Sequence, residues 1–398
     1  MSIKNDYRHT RAACYVGYVC QAAVCVFLPL LFTTFEKDYG ISLDKITLLI
    51  TINFVVQFIT DLSAMPLVNR VGYRKSAIIA HLGIFLGFTA LGTLPALLEN
   101  AYTGLVGAVI LYSIGGGLLE VLVSPIIESC PSDNKAASMS ILHAMFSIGS
   151  ILVILLSTLF LAVFGRGSWR TLTLLWSVIP LLNMFYFANV PINEIPDEDK
   201  TSPAVLFKSG IFWLFFVGML CGGASEVGMS QWASAFAEST LGISKAVGDI
   251  LGPCMFAVMM AASRFIYPVI SRKVRLSYYI GVCSAVCVAA YLIAALSPVK
   301  FMALAGCGLC GFSVGIMWPG MISLAAKTCK NGGSALFAML AVAGDLGCTS
   351  GPTIIGFVSS VFGGDLKSGL LVGIIFPALL IVTLAVGGRF IRAAGDNA

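Results

Sequence analysis

Four carboxylates interrupt long apolar runs of the sequence: Asp61, Glu120, Glu226 and Asp345. His143 adds a titratable group in similar surroundings. A carboxylate stripped of water is disfavoured in its charged form, so such a group can take up and release a proton as its surroundings change. In a bilayer centre each carboxylate costs about 2.5–3.5 kcal/mol on insertion scales, and four cost on the order of 10–14 kcal/mol. Chains tolerate that cost where the groups line a water-filled cavity or a proton path.

The neighbours suit a lined cavity. Asn53, Gln57 and Asp61 follow at i, i+4 and i+8, as do Glu120, Ser124 and Glu128, which puts each set on one helix face. Further stripes are Tyr18, Gln21 and Cys25; Ser140, His143, Ser147 and Ser150; and Glu226 with Ser230, next to Gln231 and Trp232. We therefore expect proton coupling at Glu120, Glu226, Asp345 and His143. Substrate binding is expected at Gln21, Asn53, Gln57, Ser124, Gln231, Trp232 and Trp318. Other readings stay open. His143 also suits a hydrogen bond to a neighbouring helix, either Trp suits packing as well as stacking, and Glu128 suits an interfacial structural role. Asp61 stands between a transport role and a gate or salt bridge with Arg264 or Arg70. His81 reads as structural.

The elements that must position these groups follow from composition. Of 398 residues, 58% are apolar and 11% charged, where a soluble domain carries roughly a quarter charged. Spans of roughly 20 residues allow twelve helices in about 240 residues, leaving no room for a sizeable soluble domain. Expected helices cover 10–36, 43–69, 76–95, 101–129, 135–165 and 169–190, then 207–239, 243–271, 276–297, 299–328, 333–361 and 366–392. The expected fold is all-α and integral to the membrane. It has an N-terminal six-helix bundle over 1–190, a polar cytoplasmic linker over 191–206 and a C-terminal six-helix bundle over 207–398. The apolar run after Ala12 passes Pro29 to Phe35 without a small-residue cleavage site, so it reads as a retained first helix rather than a secretory signal.

The two halves repeat one plan. Gly40-Ile41-Ser42 recurs as Gly242-Ile243-Ser244, an offset of 202 (242 − 40), and at that offset Glu36 meets Glu238, Pro66 meets Pro268 and Arg70 meets Arg272. Paired pseudo-symmetric halves are what alternating access needs. With a cytoplasmic N-terminus, only Lys37, Lys45, Arg166, Arg170, Lys245, Lys300 and Lys367 of the 24 Lys and Arg fall in outside loops. The positive-inside rule then puts both termini in the cytoplasm, in a multi-pass plasma-membrane protein. The twelve cysteines are scattered, without zinc-type spacing. Neither metal nor cofactor is expected, and the net charge of +5 comes from loops and implies no nucleic acid. Gly115-Gly116-Gly117, Gly311-x3-Gly315 and Gly347-x3-Gly351 read as helix-packing devices rather than ligand contacts.

The loop Asn69-Arg70-Val71-Gly72-Tyr73-Arg74-Lys75 resembles the G-x-x-x-D-R-x-G-R-K signature of the major facilitator superfamily, echoed by Ser271-Arg272-Lys273-Val274-Arg275. Asn69 and Ser271 stand where that signature has Asp, and Met65 where it has the leading Gly. The resemblance spans essentially the whole chain and implies a cytoplasmic gate at Asp61, Asn69, Arg70, Arg74, Arg264 and Arg272. Glu120-Val121-Leu122-Val123-Ser124-Pro125 resembles the E-x-x-x-N-P segment of the fucose–galactose–glucose:proton symporter branch. Leu142-His143 with Gly149 and Leu28-Pro29 are also similar to that branch, although Cys25 replaces its Asp. The branch implies a role for Glu120 in proton-coupled sugar binding.

The expected function is therefore a secondary active transporter. It imports a small polar solute, a sugar or related compound, by proton symport, and works as a monomer in the lipid bilayer with protons and solute as its partners. The alternative is a proton-antiport exporter of drugs or metabolites, which the 26 Phe residues would suit. A membrane-embedded enzyme is disfavoured because no Ser/His/Asp, metal or phosphate-cradling arrangement is legible. A sensor would be expected to carry a soluble output domain.

Overall fold

The computed structural model describes the chain apart from residues 1–5, 132–134, 194–205, 271–273, 330–332 and 394–398. Arg272 thus lies outside the described residues, as do the side chains of Asn69, Glu128 and Ser140. Among the described residues eleven segments are long and apolar enough to cross a membrane, and Gly333–Val361 adds a twelfth long helix. The fold is all-α. Two compact units divide it, Met1–Pro196 and Asp197–Ala398.

The first unit holds α1 (Tyr7–Val26), α2 (Leu43–Val71), α3 (Tyr73–Leu97), α4 (Ala101–Ser129), α5 (Lys135–Phe164) and α6 (Trp169–Asn189). Polar caps mark helix starts: Asp6 accepts from the Arg8 N–H, and Asn100 from that of Tyr102. Pro29 falls in a 3₁₀ turn, Leu28–Leu31, after which the helix resumes over Phe32–Tyr39. Glycine lets helices touch: a Cβ on Gly115 would strike the Ala80 carbonyl of α3, and one on Gly87 the backbone of Tyr112. A buried node ties α1, α3 and α6. Asn183 Nδ2 donates to the Ala13 carbonyl (3.0 Å) and to His81 Nε2 (2.7 Å), while His81 Nδ1 donates to the Ala77 carbonyl (2.7 Å). Each ring nitrogen has one role, so His81 is a neutral structural group.

In the second unit α7 is Gly210–Ala235, followed by a π-helical turn over Phe236–Thr240. Next, α8 starts at Lys245–Asp249, passes a π turn over Ile250–Cys254 and continues as Met255–Ile270. The remaining helices are α9 (Leu276–Leu296), α10 (Lys300–Val314, resuming over Met317–Thr328), α11 (Gly333–Val361) and α12 (Leu366–Gly373, resuming over Ile375–Ala393). A Cβ on Gly347 or Gly351 would collide with carbonyls of Leu220 and Ala224, so these glycines seat α11 on α7. The uninterrupted helix expected over 243–271 is instead broken. Pro253 lacks an N–H and would crowd the Asp249 carbonyl in a regular α-helix, and a π turn relieves both problems.

The sequence repeat is also a backbone repeat. Gly40 (φ 61°) and Gly242 (φ 60°) are both left-handed, the conformation that favours glycine. Around them the hydrogen bonds correspond: Ile41 N to Phe35 O and Ile243 N to Ala237 O, then Ile46 N to Ser42 O and Gly248 N to Ser244 O. The offset of 202 holds through the turn without a gap.

Candidate functional site

The first unit gathers residues from three of the expected stripes. Gln21 on α1 donates through Nε2 to Gln57 Oε1 on α2 (2.9 Å) and to Glu120 Oε2 on α4 (3.0 Å). Both amides are buried, at 2% and 5% exposure, whereas the Glu120 side chain is exposed although it lies well inside α4. Its partner Gln21 comes from α1 and also bonds Gln57 of α2, so the carboxylate joins the polar stripes of its own bundle. Gln21 Oε1 and Gln57 Nε2 have no hydrogen-bond partner among the described residues. Buried amide atoms left unpaired cost about 1–3 kcal/mol each, and such groups are uncommon enough to call for an explanation.

Around this cluster, Asn53 Oδ1 accepts from Ser113 Oγ (2.8 Å), a partner the sequence stripes did not suggest. Tyr18 and Ser124 bring their hydroxyls to 3.5 Å, and the exposed His143 ring meets Tyr18 edge-on at 5.7 Å between centroids. One expectation about the glycines changes. A Cβ on Gly116 would lie 2.7 Å from Gln21 Oε1, and one on Gly117 would lie 2.8 Å from Asp61 Oδ1. These two glycines make room for polar side chains of the cluster, while Gly115 serves packing.

In the second unit Glu226 is half-buried on α7, and Arg264 of α8 lies close enough for its charge to act on it. Arg264 Nε also donates to the Gly315 carbonyl at 3.3 Å. Asp345 is half-buried on α11, next to Gly344, where a Cβ would run into the Trp318 ring. Gln231 is buried. Trp232 departs from its expected role: it is fully buried at 0% exposure, and its Nε1 donates to the Pro352 carbonyl at 2.9 Å. No ring face is left for a solute to stack on.

Gate residues also find local partners. Gly72 carries a positive φ of 83° between α2 and α3, which explains the glycine of the loop motif. Arg74 Nη1 donates to the carbonyls of Phe187 (3.0 Å) and Ala188 (2.9 Å) at the C-terminus of α6, a favourable place for a cation. Arg74 therefore acts as a clip within its own bundle. Arg70 is exposed and Asp61 half-buried.

Sequence reasoning missed one charged cluster. Lys245, expected in an outside loop, is buried at 8% exposure against Asp249 at 1%. Its Nζ lies 2.9 and 3.0 Å from the carboxylate oxygens and 3.2 Å from Ser234 Oγ, and Ser234 Oγ donates to Asp249 at 2.5 Å. The i, i+4 spacing of Lys245 and Asp249 was the available signal.

Helices of this number, length and apolarity define a multi-pass membrane protein. The sequence profile of the major facilitator superfamily matches residues 14–352. The chain belongs to that superfamily: it moves a small-molecule solute across a lipid bilayer and is not an enzyme. It is 24% identical over 312 residues to an uncharacterised MFS-type transporter of Yersinia pestis, covering 74% of this chain and 75% of the relative. Among solved structures, it is similar in fold to a bacterial homologue of the human lysosomal transporter Spinster in an inward-facing, occupied conformation. That likeness has a TM-score of 0.72 at 16% identity, covering 98% of this chain and 97% of the other. It is similar also to the Escherichia coli fucose:proton symporter, with a TM-score of 0.67 at 15% identity, covering 98% and 99%.

Proposed function

We propose that this transporter carries a neutral, hydroxyl-rich solute of the sugar type inward with protons, by alternating access. The observation behind this reading is the unmatched amide pair beside Glu120: an acceptor, Gln21 Oε1, and a donor, Gln57 Nε2. A hydroxyl both donates and accepts, so neighbouring hydroxyls on one ring satisfy both atoms together. A carboxylate has no hydrogen for Gln21, and an ammonium has no lone pair for Gln57. Leaving either atom unpaired costs about 1–3 kcal/mol, which amounts to discrimination of roughly 5- to 150-fold against charged analogues. The Glu120-to-Pro125 segment and the fold shared with a fucose:proton symporter support the same chemistry.

Glu120 is the proton carrier in this proposal. Protonation neutralises it and removes the penalty for enclosing it with the solute, so the proton licenses the change of access. Glu226, Asp345 and His143 are auxiliary proton sites. Asn53, Ser124, Gln231 and Trp318 complete the solute contacts. The protein is read as a monomer in the plasma membrane, and its distribution of Lys and Arg supports placing both termini in the cytoplasm.

The test is uptake of labelled L-fucose and D-galactose into proteoliposomes under an inward proton gradient. Gradient-driven uptake is expected, and Glu120→Gln should abolish it while leaving solute exchange intact. Wild-type pH dependence in that variant removes Glu120 from coupling. Absence of sugar uptake together with acidification-driven dye efflux overturns the reading in favour of a proton-antiport exporter.

A further inference from the structure

The buried Lys245–Asp249–Ser234 cluster has a built-in comparison in the other half of the chain. At the offset of 202 its members correspond to Leu43, Thr47 and Phe32. Two backbone hydrogen bonds around each turn correspond, as does the left-handed glycine. In the first unit, however, Phe32 is buried, and the buried Thr47 satisfies its hydroxyl on the Leu43 carbonyl one turn back at 2.8 Å. The same turn is thus built once with no buried charge. Its construction does not require an ion pair, and burying one is costly relative to apolar packing. The charges in the second unit serve something else.

A second difference accompanies the first. The region of α2 that corresponds to Ile250–Cys254 is regular α-helix, within Leu43–Val71, and that corresponding to Phe236–Thr240 lies within the helix Phe32–Tyr39. Only the unit with the ion cluster carries π turns at these places. Each π turn starts just beyond a member of the cluster: Ser234 stands two residues before Phe236, and Asp249 directly before Ile250. Irregular turns of this kind are where helices bend.

We propose that Lys245, Asp249 and Ser234 form an ionic latch that governs bending of the α7–α8 hairpin at its two π turns. The Lys245 ammonium and Ser234 hydroxyl hold the Asp249 carboxylate across the hairpin. While they do, the last regular turn of α7 and the first turn of α8 stay registered and the π turns stay closed. Separating the pair frees the hairpin to flex there. The latch is independent of which solute is carried.

The test is peptide-resolved hydrogen exchange of the full-length protein in lipid nanodiscs. It compares wild type, Ser234→Ala, and the double variant Lys245→Leu with Asp249→Thr, which copies the other half. Exchange over 236–254 should rise about tenfold or more in both variants, the signature of local opening. Peptides from α9 and α12 and the thermal midpoint should stay as in wild type. Unchanged exchange over 236–254 in the double variant overturns the latch. A rise spread through the whole second unit also overturns it, because the cluster is then fold glue. If the double variant does not fold, the same two readouts on Ser234→Ala decide the matter, since that change removes one hydroxyl and leaves the ion pair.

Discussion

Replacing Gly116 by Ala puts the solute reading under direct strain. The new methyl would lie 2.7 Å from Gln21 Oε1, 2.8 Å from Val24 Cγ1 and 3.5 Å from Gln57 Oε1. Ordinary contact needs about 3.5–4.0 Å, so something must give by most of an ångström. Val24 is β-branched and stiff on its helix, and the movable part is the Gln21 amide. Shifting it breaks one neutral hydrogen bond to Gln57 and one charge-assisted bond to Glu120. The displaced Oε1 also loses the solute hydroxyl proposed to donate to it, a neutral bond worth about 0.5–1.5 kcal/mol, which converts to a rise of roughly 2- to 13-fold in half-saturation concentration. Stability should fall as well, because both lost bonds are internal and alanine's gain of about 0.5–1 kcal/mol in helix propensity offsets them only in part. Gly107→Ala in the same helix is the control, with nothing within 4 Å of its added methyl. The assay is proton-driven uptake of D-galactose and L-fucose over a concentration series, with thermal unfolding alongside. Wild-type half-saturation in Gly116→Ala would refute the placement of the solute at these amides.

Two further predictions separate structural from transport roles. Trp232→Phe removes the bond to the Pro352 carbonyl and should lower stability by about 1 kcal/mol. Half-saturation should stay unchanged, and a marked rise would return Trp232 to the binding site. Arg74→Ala loses two carbonyl partners at the end of α6 and should cost about 1–3 kcal/mol in unfolding measurements. Uptake per folded molecule should persist, and its loss with unchanged stability would make Arg74 a gate residue after all.

The stripes were legible because spacing at i, i+4 alone decides which side chains share a helix face. Gln21, Gln57 and Glu120 sit on separate helices, yet the spacing within each helix puts each of them on a polar face. Other residues were misread because sequence carries type and position but not packing direction. Trp232 looked suited to stacking beside Gln231, while the structure turns its indole into the bundle towards Pro352. Lys245 reads as a loop cation because it stands just past Gly242, and only the fold shows its ammonium set against Asp249 one turn further on. The π turns left no hydropathy signal, since one extra residue per turn does not disturb a continuously apolar segment. Pro253 was the cue for one of them. For Phe236–Thr240 we find no comparable residue.

The triangle of Asn183, His81 and the Ala13 carbonyl has a practical corollary. Three helices pinned at their waist behave as a tripod, and a tripod changes position without changing shape. Distance probes attached to pairs among α1, α3 and α6 should therefore report constant separations throughout a transport cycle. Such pairs offer an internal ruler against which displacements elsewhere in the protein can be calibrated.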